Sequence, residues 1–172
     1  MPVRLVCMNH NSSDARRPKQ KGAETIEMAL VLVPMLGFLF LIIDIGWAVF
    51  AKGTLQHAVR EGVRFAVTSK TLAGMGHRDS IKSVVVSNAL GLLNGKEDLI
   101  HIEWYSQSDL ATPLKPGGST PINSGDNIIE VSVEGFPHLP LLPLYRSGGP
   151  LFFTARSSDR MEATPPSGAP PL

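Results

Sequence analysis

From Met28 to Ile43 the chain carries no charged residue, and apart from Asp44 the apolar character runs on to Ala51, just before Lys52. As a helix this stretch is roughly 36 Å long, enough to cross a hydrocarbon core of about 30 Å. It has no polar stripe, so a buried helix of a soluble globule is the poorer reading, and we expect one membrane-spanning helix. A cleaved signal peptide fits less well: the apolar run is too long, and "IDIGWAVFAKG" is a poor cleavage site. Pro34 and Gly37 fall inside the span and are read as a bend that a membrane helix tolerates.

Residues 1–22 form a polar, basic leader, with Arg4, Arg16, Arg17, Lys19 and Lys21 against one acid, Asp14. Positive charge before a span holds that side in the cytoplasm, which predicts an extracytoplasmic C-terminal part; Arg60 and Arg64 on the far side weigh against this count without reversing it. The whole chain has 172 residues and a formal net charge of +1, which gives no support for a nucleic-acid partner. Cys7 is the only cysteine, so neither an intrachain disulfide nor a cysteine metal cluster is available.

Beyond Lys52 the helical period persists. Leu55, Ala58, Val59, Gly62, Val63 and Ala66 recur on one face, with Gln56, Arg60, Glu61 and Arg64 between them, so the span is expected to continue as an amphipathic helix. "LAGMG" breaks it. A second helix follows, with Asp79 or Ser80 as its cap, an apolar face through Ile81, Val84, Val85, Ala89, Leu92 and Leu93, and an end at Gly95. "LIHIEWY" and "NIIEVSVE" alternate as half-buried strands do. The stretch between them, "SDLATPLKPGGSTPINSGD", reads as a loop. "GFPHLPLLPLY" is too rich in proline for a central strand, and Leu151 to Met161 reads as a last strand. The expected class is α+β: a leader at 1–22, a transmembrane helix at 23–52, an extracytoplasmic domain of about three antiparallel strands and helices at 53–162, and a flexible tail at 163–172.

The residues offer no catalytic argument. His57, His77, His101 and His138 are scattered without ligand spacing, the glycines around Met75 lack the setting of a phosphate loop, and GxSxG is absent. Neither enzyme activity nor a cofactor is expected. The unusual chemistry lies in two carboxylates at the edges of the apolar run. Glu24 and Glu27 suit the positive end of a helix dipole, and Asp44, roughly 24 Å along from Met28, suits the outer interface, where it reaches headgroups or water or meets a neighbouring subunit. Trp47 and Lys52 beside it fit an interfacial anchor.

A basic leader ending at Gly22, a glutamate five positions on at Glu27 and a long hydrophobic helix resemble the type IV prepilins, which a membrane-embedded prepilin peptidase cuts after the glycine. More specifically, Gly22 to about Val67 resembles the TadE-like family of pseudopilins of the Tad apparatus that assembles Flp pili. Glu27, Asp44 with Gly46, and the "REGVRFA" stretch from Arg60 to Ala66 carry the likeness, with weaker echoes in "EVSVEGFP" and "TARSSDRME". Met28 stands where Flp-type prepilins carry an aromatic residue.

The resemblance implies cleavage between Gly22 and Ala23. It implies a register role for Glu27, pairing with the new ammonium of a neighbour's Ala23, and a contact between subunits at Asp44. The implied partners are the membrane, the prepilin peptidase, other pseudopilins, the Flp-type pilin and the inner-membrane platform proteins. The implied location is the cytoplasmic (inner) membrane, single-pass, with association with the pilus as a further implication. Two rivals keep the anchor without cleavage: a signal-anchored extracytoplasmic ligand-binding protein, and a subunit of an unrelated envelope complex.

Overall fold

The computed structural model describes residues 22–117, 121–141, 149–166 and 168–172; of the leader only Gly22 lies among them. Two helices and four strands occur in the order α1 (Ala23–Val67), α2 (His77–Asn88), β1 (Ile100–Ser106), β2 (Asp109–Pro113), β3 (Ile128–His138) and β4 (Leu151–Arg160), with a short 3-10 turn at Glu97–Leu99. The chain divides into two compact units, 1–37 and 38–172. In the first, Gly22 is a turn residue and the helical residues from Glu24 onward are exposed, apart from half-buried Gly37. The second holds the remainder of α1 and the α+β fold.

From Ala51 onward α1 buries one face. Leu55, Ala58, Val59, Val63 and Ala66 join the core at the spacing read from the sequence, while Arg60 and Arg64 stay exposed. α1 runs unbroken through 52–53, as the persisting helical period beyond Lys52 predicts. Gly62 is required by packing, because a Cβ there would run into Val85 Cγ2 of α2. Val85 is fully buried and stiff at χ1, so it has little room to yield.

α2 starts earlier than expected. Gly76 occupies the N-cap without a side-chain cap, and Ser80 sits in the first turn, where its Oγ donates to Gly76 O (2.7 Å) and accepts from Leu72 N–H (2.9 Å). The helix also stops at Asn88 rather than running to Gly95. Leu90 (φ 50) and Gly91 (φ 83) both turn left-handed, which ends the helical path.

The sheet is antiparallel, in the order β2-β1-β3-β4. Ile100, Ile102 and Trp104 of β1 face the core opposite Val133, Val131 and Ile129 of β3, while His101 and Glu103 point outward. Burial of each such side chain contributes about 1.5–3 kcal/mol.

Two expectations are corrected here. The stretch expected to be a loop contains β2, all of it exposed, which explains why no alternation announced it. β3 continues through Gly135, Phe136, Pro137 and His138 into the proline-rich stretch. Gly135 (φ 70) sits at a register shift between Val133 and Phe136, and beyond Val133 the strand pairs only with β4, so at Pro137 one side of it is an open edge, where proline is tolerated.

The tail expected to be flexible makes specific contacts. His77 N–H donates to Pro171 O (2.7 Å), Asn123 Nδ2 to Pro170 O (2.7 Å) and Gly125 N–H to Thr164 Oγ1 (2.7 Å). A Cβ on Gly76 would lie 2.6 Å from Leu172 O, so the close approach there needs a glycine.

Candidate membrane and assembly segment

α1 is long and apolar enough to cross a membrane by length and composition, and nothing in its most apolar 18-residue window is buried. Large side chains such as Met28, Val33, Phe38 and Ile42 are mostly exposed, so their apolar surface has no partner among the described residues of this chain. Polar backbone groups within this part of the helix bond along the helix itself, which is the arrangement a lipid environment requires.

At the start of α1, Gly22 O accepts from Ile26 N–H (3.3 Å), and Glu27 follows one turn later, exposed. A Cβ on Gly22, Gly37, Gly46 or Gly53 would meet nothing within 4 Å. No packing among the described residues therefore calls for these glycines, in contrast to Gly62.

Asp44 lies in α1 within the second unit. The residue is 8% exposed, and its Oδ1 accepts a hydrogen bond from Leu141 N–H at 2.8 Å, across 97 residues of chain. A backbone donor inside the chain thus reaches this carboxylate, and the residues after β3 are tied to α1. Glu27 belongs to the first unit and Asp44 to the second, 17 positions further along the sequence. Trp47 packs on Phe50 with ring centroids 5.6 Å apart, and Lys52 is exposed close by, as an interfacial anchor would have them.

In the "REGVRFA" stretch the structure separates scaffold from surface. Gly62 and Ala66 are packing positions. Arg60 and Arg64 border a shallow groove of about 440 Å³ with Ser157, Ser158 and Asp159 of β4.

On the opposite face of the core His77 is buried beside Trp104, with ring centroids 6.5 Å apart. Burial lowers the His77 pKa below its ordinary value, and the Ala66 carbonyl pulls weakly the other way. Arg78 lies 5.2 Å above the Trp104 ring and donates to Ile102 O (3.0 Å). Tyr105 is pushed up to about 12, chiefly by its hydrogen bond to Glu103 (2.6 Å). Among the described residues no group of three His, Cys, Asp or Glu side chains is placed to hold a metal ion.

The sequence reading missed the Leu141 contact, because nothing in a proline-rich segment marks which backbone N–H will find a carboxylate. It also missed the seat of the tail on Gly76, His77 and Asn123, which is made largely through backbone carbonyls.

Residues 22–64 match the family model for TadE-like protein. No curated protein and no solved structure matches the chain. The matched segment begins at Gly22, takes in the exposed apolar part of α1, Glu27 and Asp44, and ends at Arg64, so the similarity to TadE-like protein lies in this N-terminal segment.

Proposed function

We propose that the protein is a single-pass membrane pseudopilin or minor pilin that acts in assembling a Tad-type (Flp) pilus, with a structural rather than an enzymatic role. The observation that carries this reading is the coincidence of the TadE-like match at 22–64 with a helix whose apolar side chains are left exposed. Such a helix needs lipid before assembly and neighbouring helices after it. Its orientation follows from the basic leader: N-terminus in the cytoplasm, the α+β domain outside, in the cytoplasmic membrane.

In this reading the prepilin peptidase cuts between Gly22 and Ala23. A glycine whose added Cβ would touch nothing suits a backbone that a protease must grip, and the basic leader holds the junction at the cytoplasmic face. The new ammonium at Ala23, with a reference pKa of about 7.7–8.0, is mostly charged at neutral pH. Glu27 of a neighbouring copy, or of a second pseudopilin, then pairs with it and sets the axial register, because an unpaired charge within a helical bundle is penalised. The Flp-type pilin and the inner-membrane platform proteins complete the set of partners.

N-terminal sequencing of the membrane-extracted protein tests this: it should begin at Ala23, and an intact leader or a cut beyond α1 would overturn the processing step. Glu27→Ala should leave cleavage intact and abolish incorporation into assemblies; unchanged incorporation would remove the register role.

A further inference from the structure

One end of the α+β unit carries large apolar side chains that the fold leaves uncovered. Leu90 is 72% exposed, Phe152 65%, Leu139 62% and Leu141 60%. They come from three separate places in the sequence: the turn after α2, the segment after β3, and the start of β4.

Three independent markers put them at one height along α1. Leu141 N–H bonds to Asp44. Leu90 borders a groove with Val49 and Phe50, and Leu139 borders one with Trp47. For β4, Gln56 Nε2 donates to Arg156 O (2.9 Å) and Glu162 N–H donates to Val67 O (3.2 Å), so the strand runs alongside α1 with its beginning toward lower numbers. Leu151 lies five residues before Arg156, about 17 Å of strand. That equals about eleven residues of helix, which brings Leu151 near the height of Ile45.

The same height marks the end of a bilayer. Twenty helical residues counted from Met28 end at Trp47 and cover about 30 Å, the thickness of the hydrocarbon core. Lys52 and Lys96 are exposed just above, Lys96 with its Nζ 4.6 Å from the Phe136 ring centroid, where their charges meet headgroups. Leu90 holds its exposed side chain on a left-handed backbone (φ 50), a conformation that a leucine adopts only at a cost.

We infer that Leu90, Leu139, Leu141, Leu151 and Phe152 form a collar around Trp47 that seats the outer domain in the membrane surface, its apolar tips in the acyl boundary of the outward-facing leaflet. The occupant of this surface is lipid. The collar covers Asp44 at the depth where a carboxylate is costly, and it fixes the height of the domain against the bilayer, where a bare stem would leave the domain free to ride. This inference rests on α1 being a membrane span.

The test uses the full chain with Cys7→Ser, in nanodiscs of phosphatidylcholine and phosphatidylglycerol that each hold one copy. Spin labels are placed singly through Leu90→Cys, Leu139→Cys and Phe152→Cys. Val33→Cys is the reference inside the span, and Leu110→Cys, on exposed β2, the reference in water. Collision rates with oxygen and with a water-soluble nickel chelate report depth. The collar predicts loss of nickel collisions and gain of oxygen collisions at 90, 139 and 152 relative to 110. Water-like rates at 139 and 152, with 33 in lipid, overturn the collar and leave the span standing. Water-like rates at 33 as well overturn both. Because 139 and 152 lie on different segments, misfolding of one variant leaves the other to decide.

Discussion

α1 places a nearly all-apolar stretch and an amphipathic one in opposite circumstances. Between Met28 and Phe50 the large side chains are mostly exposed, whereas from Ala51 to Ala66 the apolar positions are buried or half-buried and Lys52, Arg60 and Arg64 are exposed. The difference lies in apolar content and in its arrangement. Where apolar residues surround the helix, one globular face cannot cover them and a second medium is needed; where they return every three or four residues, a small sheet and α2 suffice.

The same substitution should therefore act differently in the two stretches. Leu55→Ala, in the core, should cost about 2–5 kcal/mol in urea unfolding of the detergent-solubilised protein. Leu36→Ala, on the exposed part, should change that stability by less than about 0.5 kcal/mol. Equal losses would break the comparison.

Glycine gives a finer version. Gly62→Ala drives a Cβ into Val85 and should destabilise by about 1–3 kcal/mol. Gly46→Ala meets nothing within 4 Å, and removing a helix-interior glycine should leave the fold equally or more stable, by up to about 1 kcal/mol. Thermal unfolding of the two variants side by side reads the contrast.

Protonation should separate the stretches next. The folded pKa of His77 is depressed below 6.5 by burial, so its contribution to stability is complete above that value and is lost as pH falls through the folded pKa. The urea midpoint followed by Trp104 fluorescence should drop between about pH 8 and about pH 5, and His77→Gln should flatten that slope. The smallest effect belongs to the surface. Arg156 pairs with Glu130 (3.4 Å) and Glu134 (2.8 Å) while largely exposed, and Arg156→Ala should cost at most about 1 kcal/mol, less in high salt.

These contrasts also separate what the residues announced from what they concealed. Both parts of α1, the inward faces of β1 and β3, and the TadE-like segment could be read from periodicity and motif, because burial on one face leaves a repeating mark. β2 left no mark, since all five of its residues are exposed. The extension of β3 past Pro137 was hidden because a proline is tolerated where a strand is paired on one side only, a fact of topology rather than of composition. The limits of α2 were misplaced because its cap is a glycine and its stop is a leucine–glycine pair in left-handed conformation. The candidate residues Gly22 and Glu27 were legible as a pattern at a helix start. The partner of Asp44 was not, because a backbone N–H 97 residues away carries no signature in sequence.

The central claim is that the exposed apolar part of α1 lies in lipid. Alkaline carbonate washing of membranes from cells producing the full chain tests it most directly. The protein should stay in the membrane pellet after the wash, and its release into the supernatant as a folded soluble species would contradict the account.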